Sequence, residues 1–184
     1  MRQTLTLHPD SRCWAAARIE VDAVRPRPGA LALTYVVTGA IGDLRLPAVA
    51  AAARTDRLWR HTCFEAFVGA PPGGTYYEFN FAPSMAWAAY RFASYRKDMG
   101  AAGVTGAPRI EAQSAADRYT LHAALDLEGL PGLPDDGPWR LGLAAVIEET
   151  DGRLSYWALA HPPGQADFHH PDGFVHELRA AERA

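Results

Sequence analysis

Glu65 lies in the run LWRHTCFEAFV of residues 58–68, with Phe64 and Ala66 beside it and Phe67 close behind. A carboxylate among bulky apolar neighbours must be solvated, hydrogen-bonded or paired, because burying it alone is expensive. In an extended chain Cys63, Glu65 and Phe67 share one side, opposite Phe64, Ala66 and Val68. Glu65 is then an exposed strand residue, a partner of Arg91 or Arg96, or a ligand contact, and the run leaves all three open. Just upstream, Trp59 offers a flat ring and His61 an imidazole.

A second run, YYEFNFAPS at residues 76–84, puts Glu78 and Asn80 two residues apart on one strand face. Together they can accept and donate hydrogen bonds to a sugar-like or other polar ligand. Tyr77 begins the opposite face with Phe79 and Phe81. The following WAAYRFASYR, residues 87–96, adds Trp87, Tyr90 and Tyr95 as surfaces for stacking and Arg91 as a cation. Core packing is the plain account of most of these aromatics, which are ordinary strand residues.

The third run spans residues 156–174, where Trp157 and His161 lead into a loop carrying Asp167, His169, His170 and Asp172. Imidazoles and carboxylates gathered this way could hold a divalent metal. Their spacing matches no established metal motif, so no metal is assigned. The preferred reading is a loop pinned by its own Asp and His hydrogen bonds.

No Gly-rich phosphate loop, GxSxG, HExxH or CxxC occurs, which weighs against the common enzyme classes. The residues favour a small-ligand binding module. Trp59, Tyr77, Trp87 or Trp157 would stack on the ligand, and Glu65, Glu78, Asn80 and Arg91 would make polar contacts. An enzymatic alternative uses Glu65 or Glu78 as acid or base beside His61, His161 or His169, on a glycoside or lactone. A third reading is a partner-binding or assembly domain working through an exposed strand face or edge.

These side chains need strands to position them, and the apolar pattern supplies strands in number. Ile19, Val21 and Ala23 alternate with acids, and after a turn at residues 26–29 Leu31, Leu33, Tyr35 and Val37 answer them as a hairpin. Tyr119, Leu121, Ala123 and Leu125 share a face, as do Leu141, Leu143, Ala145 and Ile147. Residues 154–159 return across a turn at residues 150–152, and residues 174–178 make a closing strand. Residues 87–96 fit helical spacing as well, and their aromatics favour a strand. Ala-rich residues 47–54 predict one short helix, since Ala is the best helix former and poor in strands. The prolines and glycines of residues 130–138 mark a surface loop.

About ten short one-sided strands without βαβ alternation call for an all-β, two-sheet antiparallel β-sandwich with one short helical segment. The length of 184 residues, with 48% hydrophobic and 21% charged, suits one domain over residues 1–184. A net charge of -3 and scattered basic residues argue against nucleic acid. The sequence shows no secretory signal and no membrane span, so a soluble cytoplasmic protein is expected. Cys13 and Cys63 are expected as free thiols.

Residues 58–67, 76–84 and 87–96, with YWALAHP and DFHHPD nearer the C-terminus, resemble the bacterial DOMON-like domains of the carbohydrate-binding-module family 9-like superfamily. The resemblance runs over residues 58–178. It implies a sandwich of immunoglobulin-like or jelly-roll type, with ligand contacts at loops and on one sheet face. In that superfamily related domains bind carbohydrate or haem, and the bacterial subgroup carries no assigned role. Haem-binding relatives use Met and His axial ligands, for which Met85 with His161 or His169 is the sensible pair here. An axial pair alone does not make a pocket, so no cofactor is assigned. The expected partner is a small, possibly sugar-like molecule.

Overall fold

In the computed structural model, residues 2–71 and 73–181 are described, and they form an antiparallel all-β body. Its strands are β1 (Gln3–Leu7), β2 (Ala16–Val24), β3 (Ala30–Gly39), β4 (Cys63–Gly69), β5 (Tyr76–Phe81) and β6 (Trp87–Phe92). They continue as β7 (Gly100–Ala101), β8 (Arg109–Ser114), β9 (Arg118–Asp126), β10 (Trp139–Glu148), β11 (Leu154–Ala158) and β12 (His176–Leu178). Along the hydrogen-bonded path the order is β7-β6-β5-β4-β10-β11-β1-β2-β3-β9-β8, with β12 on β10.

Two sheets were expected, and here the separation is not sharp. β1 pairs with β11 through Thr6 and Leu7 and with β2 through Gln3 to Leu5, so one continuous sheet curls until its halves face each other. Right-handed strand twist accumulates over so many strands and favours such a curl. The halves meet through Phe64, whose ring lies 5.1 Å from Tyr35 and 6.0 Å, stacked, from Tyr119. The Tyr35 hydroxyl also donates to the Glu65 carbonyl across this core at 2.8 Å.

The β2–β3 hairpin forms in the expected place, with Val21 opposite Tyr35, and β10–β11 turns back as expected, with Ile147 opposite Ser155. Residues 87–96 do supply a strand, β6, over their first part. The loop after β9 closes one end of the core: Leu130 and Leu133 are buried, and the Tyr77 hydroxyl donates to the Pro131 carbonyl at 2.8 Å.

The helix expected over residues 47–54 does not form. That stretch is extended and exposed along the border of β6, where Trp87 N–H donates to the Ala53 carbonyl and Thr55 N–H to the Trp87 carbonyl. A run this short gains little from alanine's helix propensity, because nucleation is costly, and the free border of β6 offers its backbone partners at once. Helical geometry among the described residues is confined to short 3-10 turns at Ile41–Asp43, Leu58–Arg60 and Pro171–Gly173.

Candidate functional site

β4, β5 and β10 are buried along almost their whole length, so both of their faces are covered. One face packs into the core through Phe64, Ala66, Val68, Tyr77, Phe79 and Phe81. The other carries Glu65 opposite Asn80, Phe67 opposite Glu78 and, on β6, Tyr90 opposite Glu78, with Tyr76 opposite Phe92. Opposite Phe67 and Glu65, β10 contributes only Gly142 and Ala144, with Arg140 farther along the same side.

This second face is covered by a strap, residues 159–174. Its Phe168 and Phe174 pack on Phe67 at ring separations of 6.4 and 6.1 Å. The strap passes close to β10 at Gly142, where a Cβ would meet the Gly173 carbonyl oxygen at 3.3 Å. Its own hydrogen bonds hold its shape, as expected: His169 N–H donates to Asp167 Oδ1 at 3.1 Å, and Asp172 N–H to His170 Nδ1 at 3.3 Å. Asp167 further ties the strap down by accepting from the Tyr95 hydroxyl and pairing with Arg96 at 2.6 Å.

Beneath the strap lies an acid–amide cluster. Glu65, Glu78 and Asn80 are 2%, 4% and 0% exposed, which is rare for carboxyl side chains. Asn80 Nδ2 donates to Glu78 Oε1 at 2.7 Å, while Glu65 Oε1 and Asn80 Oδ1 have no partner. Burial drives the Glu65 carboxyl well above the usual carboxylate range, and the neighbouring Glu78 adds to the shift. Burial likewise raises Glu78 to about 7, held back by the Asn80 hydrogen bond and the charge of Arg96. His169 reaches in from the strap, its Nε2 3.7 Å from Glu78 Oε2 and its Nδ1 2.8 Å from the Tyr76 hydroxyl. Burial and the nearby Arg96 lower this imidazole to about 4, against the opposing pull of Asp167.

Next to this cluster a cleft of about 360 Å³ opens between the β4–β5 connection and the strap. Tyr76, Tyr95 and Phe174 give it aromatic walls, and Thr75, Arg140 and His169 line it with polar groups. Tyr76 is held rigid, stacked on Phe92 at 4.8 Å and edge-on to Phe174 at 5.5 Å. His169 therefore belongs to both places, lining the cleft while it faces Glu78.

Of the residues singled out in the sequence, Glu65, Glu78, Asn80 and His169 come together. Trp59 stands at the far side of the same face, 37% exposed and edge-on to Tyr90 at 6.1 Å. His61 is held by Glu148 at 2.7 Å and His161 by the Thr6 carbonyl at 2.8 Å. Tyr77, Trp87 and Trp157 belong to the core on the opposite side of the sheet, and Arg91, paired with Tyr77 in the β5–β6 ladder, shares their side. Arg96 bonds Asp167, and no ion pair joins Glu65 to it or to Arg91 among the described residues. No group of three or more His, Cys, Asp or Glu among the described residues could hold a metal ion. Cys13 and Cys63 are free.

Tyr95, read as a stacking surface, does line the cleft, whereas Tyr76, Thr75, Arg140 and Phe174 were not among the residues singled out as contacts. For Tyr76 the signal was present, since the two-residue period puts it with Glu78 and Asn80 and puts Tyr77 behind them. Arg140 and Phe174 reach the cleft only through long-range pairing, of which the sequence gives no local sign.

No protein-family model matches the chain, and no curated protein matches it. Solved structures do. A Bacteroides uniformis protein provisionally described as carbohydrate-binding is similar over 98% of this chain and 86% of its own, with TM-score 0.72 and 16% identity. A family 9 carbohydrate-binding module of Caldicellulosiruptor kristjanssonii, solved with glucose, is similar over 95% of this chain and 81% of its own, with TM-score 0.56 and 14% identity. The module in complex with cellotriose gives TM-score 0.59 at 12% identity, over 100% of this chain and 84% of that one. At such identities the likeness is one of fold, and the fold is that of these modules.

Proposed function

We propose that this protein binds a neutral, sugar-like small molecule in the cleft between the β4–β5 connection and the strap. The observation that carries the reading is the lining: rigid aromatic walls beside convergent polar groups in about 360 Å³, within the range of roughly 300–1,000 Å³ usual for small-ligand sites. Aromatic faces suit the apolar side of a pyranose, and Arg140, Thr75 and His169 suit its hydroxyls. The fold shared with modules solved with glucose and cellotriose supports the same ligand class. We assign the finer kinship to the DOMON-like branch, on residues 58–67, 76–84 and 87–96. In the expected cytoplasmic setting the ligand would be a free oligosaccharide or metabolite rather than a polymer surface.

Calorimetric titration with glucose, cellobiose and cellotriose tests this. Saturable binding of at least one sugar is expected, weakened about tenfold by Arg140→Ala or Tyr95→Ala, a loss of about 1.4 kcal/mol. Trp59→Ala reports whether the ligand extends across the sheet to Tyr90. Failure of all three sugars to bind at about 10 mM would remove the proposal.

A further inference from the structure

A row of polar groups leads from buried Glu78 to the cleft wall, hydrogen-bonded at every step but the one between Glu78 and His169. Asn80 Nδ2 donates to Glu78 Oε1, Glu78 Oε2 faces His169 Nε2 at 3.7 Å, His169 Nδ1 meets the Tyr76 hydroxyl at 2.8 Å, and the Arg96 N–H donates to that hydroxyl at 3.2 Å. Each link has a fixed or a reversible sense. Asn80 and Arg96 can only donate here, so Glu78 Oε1 is an acceptor and any proton on this carboxyl resides on Oε2. A neutral imidazole carries one N–H and one bare nitrogen, and their places can exchange.

We propose that Glu78 is a positioning residue for the cleft: a proton on its Oε2 reverses the His169 tautomer and turns the Tyr76 hydroxyl from acceptor to donor toward a bound molecule. With Glu78 ionised, His169 keeps its proton on Nε2 beside the carboxylate. Nδ1 is then bare and accepts a hydrogen bond from the Tyr76 O–H, and Tyr76 presents a lone pair to the cleft. One proton taken from solvent onto Glu78 reverses the order. The acid donates to Nε2 after an approach of about 1 Å, the imidazole proton sits on Nδ1 and donates to Tyr76, and the tyrosine O–H is left for the ligand. The cleft then prefers an acceptor, such as a ring or carbonyl oxygen, where it previously preferred a hydroxyl donor.

The surroundings favour this carboxyl as the group that titrates. It is raised to about 7, whereas the imidazole is lowered to about 4 and stays neutral. Facing Glu78 are Cys63 and Glu65 from β4, each with its ionised form disfavoured by burial, and Tyr76 and Asn80 from its own strand. β6 brings Tyr90, whose hydroxyl donates to Asp56 at 2.7 Å, and the loop beyond it brings Arg96, paired with Asp167 of the strap. β10 adds Gly142 and Ala144 and, farther along, the guanidinium of Arg140, which lines the cleft beside Tyr76 and His169.

The switch itself stands on the geometry of this row, while its effect on ligand choice rests on the sugar-binding reading above. Long-range nitrogen NMR on the full chain with ¹⁵N-histidine tests both, His169 being assigned from the signals lost in His169→Gln. The ring is expected to remain uncharged while its protonated nitrogen changes identity between about pH 5.5 and about pH 8.5, with a midpoint near 7. Glu78→Gln should abolish the change. Cellotriose affinity should shift several-fold over the same range, and Tyr76→Phe should erase that shift while leaving the tautomer change intact. A His169 tautomer constant across the range in the wild type, or an imidazolium appearing with a midpoint above about 6, would overturn the proposal. A tautomer change with no binding of glucose, cellobiose or cellotriose would uphold the switch and remove the sugar-binding reading instead.

Discussion

The same strands, β4 and β5, bury two faces that could hardly differ more. The face turned into the core is apolar, and the Tyr77 hydroxyl on it is handed to the Pro131 carbonyl, as that of Tyr35 across the core is to Glu65. The face under the strap keeps two carboxyls and an amide out of water with two of their oxygens unpartnered. One face is sealed by another part of the sheet. The other is sealed by a single length of chain that is itself tethered at Asp167. Burial on the first face is what the fold is made of, whereas burial on the second holds polar groups in a costly state.

If that contrast is right, matched truncations should separate the faces. Phe64→Ala should cost about 3–5 kcal/mol in urea denaturation, since Tyr35 and Tyr119 are fixed in the curl and cannot close the void. Phe67→Ala should cost about half as much, because Phe168 and Phe174 belong to a strap that can settle. Equal losses would break the comparison.

The next effect is electrostatic. Glu78 binds its proton more tightly in the folded state, at about 7 against an ordinary 4.5, so its contribution is full below 4.5 and is lost as pH rises through 7. His169, at about 4 against 6.5, runs the other way, and its contribution is lost as pH falls through that interval. The two slopes oppose each other between about 4.5 and 6.5. Glu78→Gln should therefore be more stable than wild type at pH 8 by up to about 3 kcal/mol, while the acid-side loss due to His169 remains. Denaturation midpoints measured from about pH 4 to about pH 8 show this.

Smallest is the effect of loosening the strap alone. Asp167→Asn removes the Arg96 pair, half exposed and screened, for less than about 1 kcal/mol. Gly142→Ala presses on Gly173 for a cost of similar size, about 1 kcal/mol. Both should speed amide hydrogen exchange over residues 159–174 while leaving β2, β3 and β9 unchanged. Loss of protection in those strands as well would mean that the strap is part of the folding core and not a cover.

How much of this was visible beforehand depends on how many faces each strand buries. β2, β3 and β9 bury one, so their alternation announced both strand and register. Along β4, β5 and β10 burial on both sides blurs the alternation, yet parity still placed Glu65 with Cys63 and Phe67, and Glu78 with Asn80, as found. Applied consistently, the same parity would have set Tyr76 and Tyr90 in the site and Tyr77, Trp87 and Arg91 behind it. The short strands β1 and β8 carry a polar outer side and too few apolar residues to stand out. Residues 47–54 misled because propensity is local, while the border of β6 that claimed them is distant in sequence. The meeting of His169 with Glu78 depends on where a long strap lands, which no period encodes.

That alanine-rich border segment also bears on association. A sheet that does not close on itself leaves two rows of amides and carbonyls free to recruit strands from neighbouring molecules. At one margin residues 50–55 and the two-residue β7 occupy those groups from within the same chain. At the other, β8 carries the charged pair Arg109 and Glu111 outward, which discourages docking by an apolar strand. The curl thus ends in one margin that is already spoken for and one that is defended by charge.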